Sequence, residues 1–274
     1  MSIFRRDLLL MTTFIKLLQN PLVKIFLAPF ALIGVGTIVG LSSAASPNWI
    51  NALLLFVIVV SSQLIDHYFH QRNVQRNHKS TPEFILYVCE GILIITSVIF
   101  ILRNNWIINL LLLLYIAYIH FQYIPFPIVN TFYQYILTIF FSAFILNTVA
   151  YYSQTTSITT NFLLLLIPLA LITAGITIEI NHLRYLLITR KKQSTLYHWT
   201  GIGLAIVAIF AGVYFTLPSQ SYFLAQIAYV FITLFSIIPA IVQVDNEKQR
   251  QNKINYLSTA LLIFSIFYSL AIIF

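Results

Sequence analysis

Nine long apolar runs divide the sequence and constrain its fold more than any other feature. They cover residues 22–41, 49–66, 84–102, 106–121, 129–150, 161–180, 199–217, 222–242 and 255–274. Most are close to the ~20 residues that a helix needs to cross a bilayer. Backbone groups in lipid must be satisfied within their own segment, and the runs lack the alternation of barrel strands. We therefore expect an all-α integral membrane protein with nine transmembrane helices.

The composition leaves little room for a soluble domain. Only 8% of the residues are charged and 59% are hydrophobic, whereas soluble domains carry roughly 25% charged residues. We therefore expect a single membrane domain over residues 1–274, with spans from residue 22 onwards. The single cysteine, Cys89, excludes an internal disulfide. Residues 1–20 fit an amphipathic segment on the membrane surface, with Arg5, Arg6 and Lys16 facing lipid headgroups.

The distribution of basic residues predicts an orientation in the membrane. If the N-terminus is cytoplasmic, every Lys and Arg of the chain except Arg103 falls in or beside a cytoplasmic segment. This asymmetry is typical of the positive-inside rule and places the C-terminus outside. We therefore predict an integral protein of a bacterial cytoplasmic membrane. Because the net charge of +8 is explained by this orientation, it does not indicate a nucleic-acid partner.

Polar residues gather at the predicted cytoplasmic ends of two spans. The stretch SSQLIDHYFHQRN (61–73) closes the second span, and EINHLRYLLITRKKQSTLYHWTG (179–201) leaves the sixth. The six histidines all lie on this side: His67, His70, His78, His120, His182 and His198. One interpretation is that they line a membrane interface, where a polar tip reaches water. The other is a functional site, because acids within a membrane are costly.

The spacing of these groups leaves several kinds of site open. Glu179 and His182 are three residues apart, as are His67 and His70, so each pair shares a helix face. Carboxylate and imidazole together suit a transition metal better than magnesium, which prefers oxygen ligands. Glu90 also fits a buried acid paired with an arginine from a cytoplasmic loop. The candidate metal ligands are Asp66, His67, His70, Glu179 and His182.

Three motifs occur in a recognisable order. They are QLIDHYFH (63–70) after the second run, QYIPFP (122–127) before the fifth and NHLRYLLITRKKQSTLYHWTG (181–201) after the sixth. This order resembles the UbiA superfamily of intramembrane prenyltransferases, whose members make quinones, haem O and chlorophyll. Their motifs read N-x-x-N-D-x-x-D after helix two, and N-x-x-R-D-x-x-x-D-R followed by G-K-x-T-L after helix six. The matching residues, with one deletion, are Asn181, Arg184, Arg190, Thr195, Leu196 and Gly201.

The resemblance covers essentially the whole chain and implies a UbiA-like bundle. It also implies transfer of a polyprenyl group from its diphosphate to an aromatic or lipid acceptor. In the family, aspartates hold Mg²⁺ ions that neutralise the leaving diphosphate. This chain departs from the pattern at all of those aspartate positions, which hold His67, His70, Tyr185 and Thr189.

The residues that remain set the expected roles. Asp66 lies one position before the first aspartate site and Glu179 lies before the second motif, and both are the predicted catalytic carboxylates that hold Mg²⁺. The predicted diphosphate-binding residues are Arg72, Asn181, Arg184, Arg190 and Lys191. The expected ligand is an isoprenoid or quinone-like molecule among membrane lipids, held between aromatic and aliphatic spans.

Two alternatives stay open. Loss of the aspartates fits a catalytically inactive relative without a metal, acting as a lipid- or quinone-binding subunit or as a partner of other membrane proteins. A redirected enzyme would use a transition metal held by His67, His70, Glu179 and His182.

Overall fold

A computed structural model describes residues 21–74, 82–129, 131–189, 194–216, 223–244 and 246–274. Within these ranges the regular structure is entirely helical. The predicted amphipathic segment 1–20 and the predicted diphosphate-binding residues Arg190 and Lys191 lie outside them. The all-α class is therefore confirmed for the described part of the chain.

The described residues form nine helical segments. They are α1 (Pro21–Ser43), α2 (Trp49–Val74), α3 (Glu83–Arg103), α4 (Trp106–Phe121), α5 (Phe132–Thr155), α6 (Thr160–Thr189), α7 (Thr195–Thr216), α8 (Phe223–Ile241) and α9 (Glu247–Ile273). Seven contain stretches long and apolar enough to cross a membrane. The apolar parts of α1 and α4 are shorter, at Pro29–Ser43 and Trp106–Phe121. The chain is thus an integral membrane protein, whereas nine crossings and a UbiA-like bundle stay predictions.

Local sequence explains where several helices begin and end. Asn48 caps α2, since its side chain accepts a hydrogen bond from the backbone N–H of Asn51. Thr131 caps α5 in the same way through the N–H of Gln134. At the other end of α5, Thr156 adopts a left-handed conformation with φ of 59°, which stops the helix. Asn48 and Thr156 lie between the apolar runs, and Thr131 lies near the start of the run 129–150, so these polar residues divide the runs into separate helices.

Two apolar cores meet across α1 and α5. One core packs α6 to α9 against these two helices and is centred on buried rings such as Phe162, Tyr229 and Tyr268. The other packs α2, α3 and α4 against the same two helices through Leu55, Ile58 and other aliphatic side chains. α1 and α5 therefore join the two halves of the bundle.

A buried asparagine joins α1 to α5 where the two helices approach most closely. The Asn147 side chain is fully buried; its Oδ1 accepts a hydrogen bond from the Gly36 backbone N–H at 2.9 Å. Its Nδ2 donates to the carbonyl oxygens of Leu32 and Ser142 at 2.7 and 2.9 Å. Interhelical bonds from small and amide residues are a common means of association in membranes. Gly36 and Asn147 thus fix how the two halves meet.

The hydrogen bonds between helices define two ends of the bundle. At one end Gln122, after α4, contacts Asp66 near the end of α2, and His198 at the start of α7 contacts Glu179 near the end of α6. We call this the Asp66 end. At the opposite end, the Asn51 end, Asn51 of α2 contacts Asn104 after α3. Asp66, His120, Glu179 and His198, which are predicted to be cytoplasmic, lie at the Asp66 end; which membrane face this is stays a prediction.

Candidate functional site

The carboxylate of Asp66 is the centre of the first polar group. Asp66 lies eight residues before the end of α2, and its Oδ1 accepts hydrogen bonds from Gln122 Nε2 at 2.6 Å and from the Tyr123 hydroxyl at 2.8 Å. Gln134 Nε2 donates to Gln122 Oε1 at 3.4 Å. The connection between α4 and α5 is thereby held against the end of α2. We call Asp66, Gln122, Tyr123 and the nearby Arg184 the Asp66 group.

Arg184 brings α6 to this same place. Its side chain is exposed on α6, and its charge interacts electrostatically with Asp66, His70 and Tyr123. Asp66 and Arg184, which belong to two of the predicted motifs, therefore lie close enough for their charges to interact. This juxtaposition of a carboxylate with an arginine joins two of the predicted site residues.

Tyr123 acts in this group as a neutral hydroxyl donor. Burial raises the pKa of its phenol, and the adjacent negative charge of Asp66 raises that pKa further, although Arg184 opposes the increase. The phenol therefore keeps its proton at neutral pH and can donate it to a carboxylate or to a ligand oxygen.

The other predicted residues of the α2 end have different partners. His67 is exposed and its Nε2 lies 2.8 Å from Gln71 Nε2. Arg72 forms an exposed ion pair with Glu83 at 2.9 Å. Exposed pairs of this kind contribute little to stability, because solvent screens both charges. Arg72 is thus paired with Glu83 of α3 and does not belong to the Asp66 group. Of the described arginines and lysines, Arg184 is the one whose charge acts on Asp66.

Glu179 is the centre of a second, fully buried polar group. Its Oε1 lies 2.9 Å from His198 Nδ1 on α7 and 2.9 Å from Lys253 Nζ on α9. His198 Nε2 lies 3.0 Å from the carbonyl oxygen of Ile241, and Lys253 Nζ donates to that of Val242 at 2.8 Å. We call Glu179, His198 and Lys253 the Glu179 group. It ties α6, α7 and α9 to the end of α8.

Further contacts hold the end of α6 against the same neighbours. His182 Nε2 accepts a hydrogen bond from the backbone N–H of Ser194 at 2.9 Å, just before α7. Arg250 of α9 donates to the carbonyl oxygen of Leu186 at 2.9 Å. Asn181 is half-buried in the same turns. The predicted site residues of α6 therefore divide, because Glu179 and His182 bind α7 and α9 whereas Arg184 faces Asp66.

The partners of Asp66 and Glu179 decide whether these carboxylates could hold the predicted metal ion. Within the described ranges, no three His, Cys, Asp or Glu side chains come together as a metal-binding group. Asp66 Oδ1 accepts from two donors, and Glu179 pairs with the ammonium of Lys253. Mg²⁺ requires a near-octahedral shell of oxygens. The observed donor set does not fit a resident Mg²⁺, and magnesium dependence stays a prediction from the resemblance.

The partner of Glu90 differs from the arginine that the sequence suggested. Glu90 of α3 pairs with His120 of α4, with 2.9 Å between Oε1 and Nε2, rather than with an arginine from a loop. His120 Nδ1 also lies 2.8 Å from the carbonyl oxygen of Ile116. The pair links α3 to α4 at the Asp66 end, and it is only partly shielded, with 27% of each side chain exposed.

Sequence reasoning missed the partners of both predicted carboxylates. Gln122 and Tyr123 lie in the QYIPFP stretch, whose resemblance to a turn motif was the available signal. Lys253 carries no such signal, because in the sequence it is one of several basic residues in a predicted cytoplasmic segment.

No family model matches the chain, and no curated protein matches it either. The order of the three motifs therefore carries the resemblance to the UbiA superfamily by itself, and membership of that superfamily stays a prediction.

Proposed function

We propose that this membrane protein binds a polyprenyl diphosphate at the Asp66 end and transfers its prenyl group to an aromatic or lipid acceptor. The observation that carries the proposal is the meeting of Asp66 and Arg184 from two helices at one end of an apolar bundle. A diphosphate headgroup needs a cation near the membrane surface, and its tail needs only apolar area. The charge of Arg184 near Asp66 supports the first requirement, and the apolar helices of the bundle support the second.

Arg184 would bind the diphosphate. Its planar guanidinium can make two parallel hydrogen bonds to phosphate oxygens. In the transfer, the C–O bond of the donor breaks and its electron pair leaves with the diphosphate. The developing negative charge is stabilised best by a cation already in position. Because the Tyr123 hydroxyl is a neutral donor beside Arg184, it would supply another hydrogen bond to the leaving oxygen.

Asp66 would act on the acceptor. The new bond forms between the prenyl carbon and the acceptor, which must then lose a proton. A carboxylate within hydrogen-bonding distance can accept that proton. Asp66 already accepts the Tyr123 hydroxyl proton in a hydrogen bond of 2.8 Å, so an acceptor hydroxyl would replace Tyr123 at the same oxygen.

The partners of Glu179 and Asp66 favour a second function. Glu179 is held by Lys253 and His198, and Asp66 by Gln122 and Tyr123. The two acids therefore belong to separate groups, unlike a pair that shares a metal. This arrangement favours an inactive relative that binds a prenyl lipid or quinone without transferring it, alone or within a membrane-protein complex.

Turnover separates these functions. Purified protein is incubated with labelled farnesyl and geranylgeranyl diphosphate, Mg²⁺ and a panel of aromatic and lipid acceptors. We expect product from the native chain, and a decrease of roughly 10²-fold or more for Asp66→Asn, because general bases typically contribute 10²–10⁴-fold. The exposed variant Arg72→Ala is the matched control and should keep its activity. Diphosphate binding without product supports the second function; the absence of both binding and product contradicts the proposed transfer.

A further inference from the structure

Arg103 is a cation without a carboxylate partner at its end of the bundle. It is exposed at the last residue of α3, at the Asn51 end. The described connections at this end, residues 42–48, 104–105 and 156–159, contain no Asp or Glu, and neither do the last five residues of the chain. The nearest acid on its own helix is Glu90, thirteen residues earlier, which is about 20 Å away along the axis. Among the described residues, no carboxylate at this end is therefore available as a counter-ion for Arg103.

The guanidinium of Arg103 is held in place by a buried amide. Its Nε donates to Asn51 Oδ1 at 2.9 Å, and Asn51 is only 2% exposed. The Asn51 amide nitrogen donates in turn to Asn104 Oδ1 at 3.2 Å and to the carbonyl oxygen of Ser153 at 3.4 Å. These bonds orient the Asn51 oxygen towards Arg103. The Nε side of the guanidinium is thereby occupied, and its two terminal nitrogens make no hydrogen bond to a described residue.

Two tryptophans indicate the depth of Arg103 in the membrane. Trp49 and Trp106 are the first residues of α2 and α4 at the same end, and they are 67% and 70% exposed. Exposed tryptophans favour the boundary between hydrocarbon and headgroups. Trp49 lies two residues before Asn51, and Trp106 lies three residues after Arg103. Arg103 is therefore at the level where lipid phosphates lie.

We propose that Arg103, positioned by Asn51, binds the phosphate of a phospholipid in the leaflet at the Asn51 end. The terminal nitrogens of an anchored guanidinium form a planar fork that matches phosphate oxygens. The surrounding bilayer supplies such phosphates at the required depth, and the described part of the chain supplies no competing carboxylate there. This lipid site is at the opposite end from the Asp66 group and does not depend on the proposed function.

Native mass spectrometry of the detergent-purified protein tests the site. Dioleoylphosphatidylglycerol is titrated into the native chain, Arg103→Gln, Arg103→Lys and the matched control Arg72→Gln at the other end. We expect Arg103→Gln to bind the first lipid about tenfold more weakly, which is the typical effect of losing charged hydrogen bonds. Arg72→Gln should bind as the native chain does. Arg103→Lys should be weakened too, since lysine lacks the Nε that Asn51 holds.

Two further ligands distinguish the phosphate of a phospholipid from free phosphate. Dioleoylglycerol, which lacks the phosphate, should bind the native chain and Arg103→Gln equally weakly. Inorganic phosphate at the same concentration should raise the thermal stability of the native chain less than the phospholipid does. Equal lipid binding by the native chain and Arg103→Gln would overturn the proposal. If Arg103→Lys binds the phospholipid as tightly as the native chain does, Asn51 does not position the cation. If inorganic phosphate raises the thermal stability as much as the phospholipid does, the site binds a soluble anion instead of a lipid.

Discussion

Replacing Lys253 with alanine is expected to lower the free energy of unfolding by about 3–5 kcal/mol, the usual effect of removing one partner of a buried ion pair. Lys253 and Glu179 are 5% and 2% exposed, with 2.9 Å between the ammonium and the carboxylate. Without the ammonium, the carboxylate remains in an apolar core, and the carbonyl oxygen of Val242 loses its donor. The connection of α6 with α8 and α9 should weaken. Reversible unfolding in mixed micelles measures the loss.

Two variants serve as controls for Lys253→Ala. Lys248→Ala lies on the same helix but is exposed, so its effect should stay within ±0.5 kcal/mol, as is usual for surface substitutions. Glu179→Leu combined with Lys253→Met replaces both charges by apolar side chains, and such replacements are often neutral. We expect this double variant to be more stable than Lys253→Ala alone. A loss below about 1 kcal/mol for Lys253→Ala would mean that the pair is weak, as at a surface.

Gly36→Ala is expected to destabilise the protein by about 3 kcal/mol, at the upper end of the range for inserting a methyl group into a packed interface. A Cβ atom at this position would overlap the backbone carbonyl oxygen of Asn147. Since the obstacle is backbone, α1 and α5 would have to separate, and the hydrogen bond from Gly36 N–H to Asn147 Oδ1 would lengthen. The midpoint of thermal unfolding should fall accordingly.

Gly91→Ala and Gly203→Ala are the matched controls for Gly36→Ala. All three glycines lie within helices, but a Cβ at Gly91 or Gly203 meets nothing within 4 Å. Alanine is favoured over glycine in a helix by roughly 0.5–1 kcal/mol, so these two variants should be as stable as the native chain or slightly more so. If all three variants have the same midpoint of thermal unfolding, α1 and α5 do not approach each other closely at Gly36.

The fold class could be predicted because the apolar runs are long, and their length alone requires helices in lipid. The ends of the helices could not be predicted as well. α6 continues to Thr189, nine residues beyond the apolar run 161–180, and α9 begins at Glu247, eight residues before the run 255–274. Both extensions carry polar residues whose partners lie on other helices. Hydropathy describes single residues and contains no information on such partners.

The candidate site could be predicted only in part, because hydropathy and spacing contain no information on partners that lie on other helices. Asp66 and Arg184 were expected to share one end of the bundle because their motifs follow helices that run in the same direction, and their charges do interact. The pairing of Glu179 with Lys253, 74 residues later, could not be read from spacing, because it depends on how α6 and α9 pack. Glu90 likewise finds His120, a partner that becomes available only when α3 and α4 lie side by side.

Binding of labelled geranylgeranyl diphosphate to the native chain, compared with Arg184→Ala, tests most directly whether the Asp66 end is a diphosphate site. We expect saturable binding that weakens about tenfold or more in Arg184→Ala, because the charged hydrogen bonds to phosphate are lost. Arg72→Ala should bind as the native chain does, and geranylgeraniol, without the diphosphate, should not distinguish the variants. Equal affinity of the native chain and Arg184→Ala for the diphosphate would contradict a shared site at the ends of α2 and α6.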